Sequence, residues 1–177
     1  MVELIKQVEA IPETYPDVPD GLSTAAAALD SDFLWQRIEN YVAHRWTTRE
    51  VVWTVDGPGD FVPNLTPISV TSVEVWSEGA WTSVTLNPMP LGGYWLPSAC
   101  AYRVTADVGG GDVPAVVNEA FKRLAEYAAA TVEEPGAASY RYTVGQLSVS
   151  WRKSPDWIAK GLVQSGAADL LRPYRRA

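Results

Sequence analysis

The sequence predicts an α+β fold, a helical framework of about three main helices with an antiparallel β-module inserted into it. Three observations carry that expectation. Apolar residues recur at helical spacing in residues 23–45, from Val113 up to the stop at Glu133–Gly136, and in the last stretch of the chain. Between the first two, Val51, Trp53 and Val55 alternate with Val52, Thr54 and Asp56, and several such runs follow, separated by turn residues. The order is helix, strand block, helix, short hairpin, helix, with no fixed-period repeat. At 177 residues, 47% hydrophobic and 20% charged, the chain is long enough for one domain with a real core.

Residues 1–22 are expected to form an extended N-terminal arm. Pro12, Pro16 and Pro19 forbid a helix there. Ser23 or Thr24 can cap the first helix, whose stripe is Leu34, Ile38, Tyr41 and Val42, with a break near Asp30-Ser31. The β-module is expected over about residues 47–108. Its first strand stops at Gly57-Pro58-Gly59, the next two are Ile68–Trp76 and Trp81–Leu86 around a tight turn, Tyr94–Leu96 is a short edge strand, and Cys100–Val108 is a main strand. Gly109-Gly110-Gly111-Asp112 ends it. Val117, Phe121, Leu124 and Ala128 then form one helical stripe, stopped near Glu133-Glu134-Pro135-Gly136. Tyr140–Trp151 is β-like, with Gly145 as turn or bulge. Ser154, Pro155 and Asp156 open a terminal helix that carries Ile158, Leu162, Leu170 and Leu171. Pro173 turns the chain out of it, so residues 172–177 are expected as a C-terminal arm beyond a main domain of 23–171.

Charge is unevenly placed. From residue 141 onward there are 7 basic and 2 acidic residues, against 7 basic and 19 acidic before it. Such asymmetry describes a molecule with two differently charged surfaces, and in a head-to-tail ring an acidic body could meet a neighbour's basic element. The net charge of −7 argues against broad nucleic-acid binding by the body. No stretch approaches the apolar length that spans a bilayer, so no membrane partner is expected. The N-terminus lacks the basic flank and apolar core of a signal peptide, which points to the cytosol or to an assembly built there.

Little in the sequence supports catalysis, and no cofactor or metal is expected. There is one histidine, His44, and one cysteine, Cys100, too few ligands for a His/Cys metal site. His44 is expected as a cation at a helix C-terminus, and Cys100 as a small hydrophobe within a strand. The acidic pairs Asp30/Asp32 and Glu133/Glu134 flank helices as caps. Asp17 and Asp20 lack companions for a calcium site. The Gly109–Asp112 loop has no Lys-Ser/Thr to make it a phosphate loop. Of the 8 tryptophans, Trp53, Trp76, Trp81 and Trp95 cluster in the strand block. Core and interface filling is the expectation for them, and sugar stacking by a carbohydrate-binding module is the alternative.

Four segments, in order, resemble the head–tail connector (adaptor) proteins of tailed bacteriophages and gene transfer agents. The first runs from Trp35-Gln36-Arg37-Ile38-Glu39-Asn40-Tyr41 through Arg45-Trp46-Thr47-Thr48 into Val52-Trp53-Thr54-Val55-Asp56-Gly57. The second is Pro67–Val75, the third Val144–Trp151, and the fourth Ala168-Asp169-Leu170-Leu171-Arg172-Pro173-Tyr174-Arg175-Arg176. The chain departs from the family at its start, where Leu4-Ile5-Lys6 leads into the Pro-rich arm rather than a long helix, and at Gln146, where an acidic residue is usual. The resemblance implies a structural virion protein at the head–tail interface of a phage-like particle. It implies a ring, commonly of twelve subunits, that binds the portal protein and presents a docking surface to the stopper and tail. DNA could pass through such a ring without sequence-specific contact. By the same resemblance Leu170, Leu171, Arg172, Pro173, Tyr174, Arg175 and Arg176 form the portal-binding arm. Another neck protein, a stopper or tail-completion factor, is the alternative within that machinery.

Overall fold

The computed structural model describes residues 2–90, 92–130, 139–144, 147–152 and 160–175. The fold is α+β, and the chain divides into two compact units. One is formed by the N-terminal residues up to Pro16 with Ala43–Asp112, the other by Asp17–Val42 with Val113–Arg175.

The first unit is built on a five-stranded antiparallel sheet. Its strands are β1 (Glu3–Glu9), β2 (Arg49–Asp56), β4 (Ile68–Ser77), β5 (Ala80–Ser83) and β7 (Ala101–Val108), in the order β1-β2-β7-β4-β5. A separate pair, β3 (Gly59–Phe61) and β6 (Tyr94–Leu96), runs antiparallel beside it. Alternation along β2 and β7 explains the core. Val51, Trp53 and Val55 point to one face with Tyr102, Val104, Ala106 and Val108, all at most 1% exposed, and Phe61, Leu65, Leu86 and Leu96 close over them. The β4–β5 turn places Glu78 and Gly79 at φ 53° and 81°, the left-handed pair that matches strand twist in a two-residue hairpin. At the far end of β7, Gly109 has φ 104°, and a Cβ there would stand 2.3 Å from the Thr47 carbonyl oxygen, so only glycine lets the two backbones approach.

Residues 3–9, expected within an extended arm, form the sheet's outer strand β1, and only the Pro-rich stretch after them is free of regular structure. Two polar contacts draw β1 into the sheet. The Gln7 Oε1 accepts from Trp53 Nε1 at 3.1 Å and from Asn64 Nδ2 at 2.8 Å, while Asn64 Oδ1 accepts from the same indole at 2.9 Å. The Glu9 carboxylate receives Arg45 Nε at 2.6 Å, Arg45 Nη2 at 3.1 Å and Arg49 Nη1 at 3.1 Å. Arg49 also donates to Thr47 and lies 5.7 Å from the Tyr15 ring centroid. Both guanidinium groups are buried, so their ionic partners must come from the protein.

The second unit is helical. Ser23 caps α1 (Thr24–Ala27) and Asp30 caps α2 (Ser31–Tyr41), so the break expected near Asp30-Ser31 is a true second N-terminus. Helix α3 (Ala115–Ala129) buries Val117, Ala120, Phe121, Leu124 and Ala125, and α2 buries Leu34, Trp35 and Ile38. The Trp35 and Phe121 rings meet at 4.8 Å between centroids. Glu126 ties α3 to α1: Ser23 donates its amide to Oε1 at 2.7 Å and its hydroxyl to Oε2 at 2.8 Å, and these bonds hold the carboxyl below the usual range. The hairpin expected over Tyr140–Trp151 is β8 (Ser139–Val144) with β9 (Leu147–Arg152), in unbroken antiparallel register. Gly145, the helix opening at Ser154–Ile158, and the Glu133–Gly136 stop lie outside the described residues.

The tryptophans do not behave alike. Trp53 is fully buried, whereas Trp76 and Trp95 are 44% and 49% exposed. Replacing Trp53 by Ala is expected to cost about 3–5 kcal/mol in urea unfolding, and Trp76→Ala less than half of that. Glu9→Ala is expected to cost about 3 kcal/mol by the same measurement, because it strips two buried cations of a shared anion. Equal losses at Trp53 and Trp76, or an unchanged midpoint for Glu9→Ala, would contradict this account of the core.

Candidate interaction surface

The C-terminal segment is set by a single left-handed residue. Helix α4 (Gly161–Gln164) ends at Ser165, and Gly166, at φ 75°, breaks the run before α5 (Ala167–Leu170). The continuous terminal helix expected from the apolar spacing is therefore two short turns over the described residues. A 3₁₀ turn, Arg172–Tyr174, follows, and the backbone becomes extended at Arg175. The turn forms because Pro173 fits its first positions and Leu171 anchors its start.

This geometry sorts the residues assigned to the portal-binding arm. Leu171 is 0% exposed and belongs to the interior of the helical unit, so it holds the segment in place rather than facing a partner. Leu170 and Tyr174 are half-buried, while Arg172, Pro173 and Arg175 are exposed. Arg176 lies outside the described residues. Arg172 Nη2 stands 3.0 Å from Asp169 Oδ1 with both side chains largely in solvent, a contact worth little to stability. Arg175 is more constrained. Its guanidinium carbon lies 4.6 Å from the centroid of Tyr41, and Nη1 donates to the Tyr41 hydroxyl at 3.2 Å. The segment is also held by a hydrogen bond from the Tyr127 hydroxyl to Gln164 Oε1.

Tyr41 was legible only as part of the α2 apolar stripe, yet it is half-buried and carries Arg175. One turn back on the same helix line, Arg37 lies 5.8 Å from the Phe33 ring centroid. Sequence spacing could have found this row, since Phe33, Arg37 and Tyr41 are four residues apart. The contact from Arg175 could not be read from spacing, because it spans 134 residues.

On the sheet unit, Trp76 and Trp81 are cross-strand partners packed edge to face at 5.2 Å. Arg103 lies 4.7 Å from the Trp81 centroid and is held by Glu74 at 2.6 Å. A guanidinium thus occupies one of the ring faces that sugar stacking would use.

The remaining candidates separate. His44 is not a helix-terminal cation. It sits three residues past α2, in an isolated bridge to Thr66, with its ring 4.9 Å from Trp46. Burial, then the charge of Arg45, lower its pKa from the ordinary value. Cys100 precedes β7 rather than lying within it, half-buried against the sheet core. Among the described residues no three His, Cys, Asp or Glu side chains gather as a metal group, and no helix is long and apolar enough to cross a membrane.

A solved structure shares this fold. It is a chain from the "Virion of native gene transfer agent (GTA) particle", matched over 100% of this chain and 96% of that one, with a TM-score of 0.56 and 16% identity. No family model and no curated protein matches the sequence.

His44 gives a pH signature. Its folded pKa is lowered, so its contribution to stability is complete above the unfolded value of about 6.5 and is lost as pH falls toward the folded value. The melting temperature is expected to drop on acidification from pH 7 to 5, and His44→Gln to flatten that drop. An identical pH profile for the variant would show that His44 is not buried as described.

Proposed function

We propose that this chain is a structural subunit of a phage-like particle, an adaptor that forms a ring on the portal of the head and offers a docking surface to the stopper and tail. The observation that carries the reading is the fold shared, end to end, with a component of a gene transfer agent virion. The four segments that resemble the connector family support the adaptor role in particular, above all the ending Leu170-Leu171-Arg172-Pro173-Tyr174-Arg175-Arg176.

In this reading Leu171 is the internal anchor, and Arg172, Pro173, Tyr174 and Arg175 are the portal-facing surface. Arginine and tyrosine suit that role: the guanidinium fork binds carboxylates or backbone carbonyls, and the phenol adds apolar area with a hydroxyl. The 3₁₀ turn and the Tyr41 contact hold the surface in one shape before binding, which lowers the entropy lost on docking. The reading places the protein in the particle at the head–tail interface, with the portal, the stopper and other copies of itself as partners. Its role there is structural, without catalysis.

The test is docking on purified portal. Deleting Arg172–Ala177 leaves Leu171 in place, so the melting temperature is expected to stay within a few degrees while portal binding falls by at least tenfold, and Arg172→Glu/Arg175→Glu should do the same. Wild-type docking and tail attachment by the truncated chain would remove the C-terminal segment from the portal contact. Failure of the intact chain to bind portal would remove the adaptor role.

A further inference from the structure

One cluster of aromatic and charged side chains on the sheet unit is used neither by its core nor by the C-terminal segment. On the sheet face opposite the core, alternation brings Glu74 and Trp76 of β4 together. Their β5 partners are Ser83 and Trp81, and the β7 partner of Glu74 is Arg103. Trp81 is enclosed within the cluster: the Arg103 guanidinium lies 4.7 Å from its ring centroid, and Trp76 packs edge to face with it at 5.2 Å. Trp76 itself is 44% exposed, so indole surface stays open to solvent at the rim of the cluster.

Polar groups with unused hydrogen-bonding capacity stand beside that ring. Arg103 directs Nε, at 2.7 Å, and Nη2, at 2.6 Å, to the same oxygen of Glu74, Oε2. Among the described residues this leaves Nη1 of Arg103 and Oε1 of Glu74 without a hydrogen-bond partner, on side chains 36% and 25% exposed. Ser83, opposite Glu74, is exposed in the same row. The cluster thus offers a donor, an acceptor and a hydroxyl next to an aromatic plane. The guanidinium is stacked on Trp81 and pinned by the carboxylate, so its orientation is set before a ligand arrives.

We propose that this cluster binds a neutral saccharide. A gluco-configured sugar ring presents an apolar face of C–H groups, which stacks on Trp76. Its equatorial hydroxyls, each both donor and acceptor, reach Arg103 Nη1, Glu74 Oε1 and the Ser83 hydroxyl at the edge of that ring. Charge selects this occupant over others. Arg103 and Glu74 neutralise each other, and Glu50, Asp56, Glu78 and Asp107 are exposed on the same unit, so an acidic sugar is repelled. A cationic ligand would need several ring faces turned toward it, and Arg103 already fills one face of Trp81. The contact that bars Trp81 from stacking on a sugar is therefore the one that aims the guanidinium past it. The site lies wholly within the sheet unit and needs neither portal nor a second copy.

Calorimetric titration of the full chain with cellohexaose, maltohexaose and chitohexaose, and with an acidic oligogalacturonate of the same length, is the experiment. At least one neutral oligosaccharide is expected to bind saturably at millimolar concentration, and the oligogalacturonate more weakly than that one. Trp76→Ala should weaken binding about tenfold or more, and Trp76→Tyr, which keeps a ring, by less. Arg103→Lys keeps the charge but loses the fork that carries Nη1, and should also weaken binding about tenfold. Trp95→Ala, which removes an indole 49% exposed on β6, should bind like wild type. Melting temperatures confirm that each variant is folded. A wild type that binds none of the neutral sugars, oligogalacturonate bound as tightly as they are, folded Trp76→Ala or Arg103→Lys with wild-type affinity, or an equal loss in Trp95→Ala would each overturn the proposal.

Discussion

Two arginines buried at the start of the sheet need an anion, and Glu9 is placed to supply one. Arg45 and Arg49 are 6% and 7% exposed, too deep for water to solvate both charges, and both reach the same carboxylate. That contact brings β1 against β2 and so decides where the sheet ends. Once β1 is in place, Gln7 can accept from the Trp53 indole, which would otherwise bring a polar N–H into the core. The loop holding Asn64 is drawn to the same indole. Trp53 can then fill the sheet interior without an orphaned donor, and Phe61 packs edge-on against it at 6.3 Å. An ion cluster at one end and an indole at the centre are thus coupled through one edge strand.

The β-module was legible because its signals are local. Alternation at Val51, Trp53 and Val55 gives a strand with one buried face, and Glu78-Gly79 gives a hairpin, whatever the rest of the chain does. The place of residues 3–9 was not legible. Their pattern, Glu-Leu-Ile-Lys-Gln-Val-Glu, has no clean period, and the strand is irregular between Leu4 and Lys6. What recruits it is Glu9 meeting arginines 36 and 40 residues away, a relation that no window of sequence contains. The terminal helix failed differently. Ala, Leu and Val around Gly166 have helical spacing, but a glycine free to enter the left-handed region ends the run, and periodicity does not weigh that freedom.

Among the C-terminal residues, exposure was not legible. Leu170 and Leu171 are adjacent and chemically alike, yet Leu171 is fully buried and Leu170 is not. Helical geometry turns consecutive side chains by about 100°, so two neighbours of like chemistry need not be buried alike. Pro173 correctly marks the departure from the helix, but the departure is a 3₁₀ turn before it is an extension. An arm that left at once would have placed Arg175 beyond the reach of Tyr41.

That difference changes how the segment can act. A free tail would lose its backbone and side-chain freedom on meeting a partner, at about 1–2 kcal/mol for each backbone residue fixed. Here residues 172–174 are already turned, and Arg175 is held by both the ring and the hydroxyl of Tyr41. Part of the ordering cost therefore falls on folding rather than on docking. The same contact joins the C-terminal segment to α2, so a partner that docks on residues 172–175 meets a surface already fixed to the helical unit.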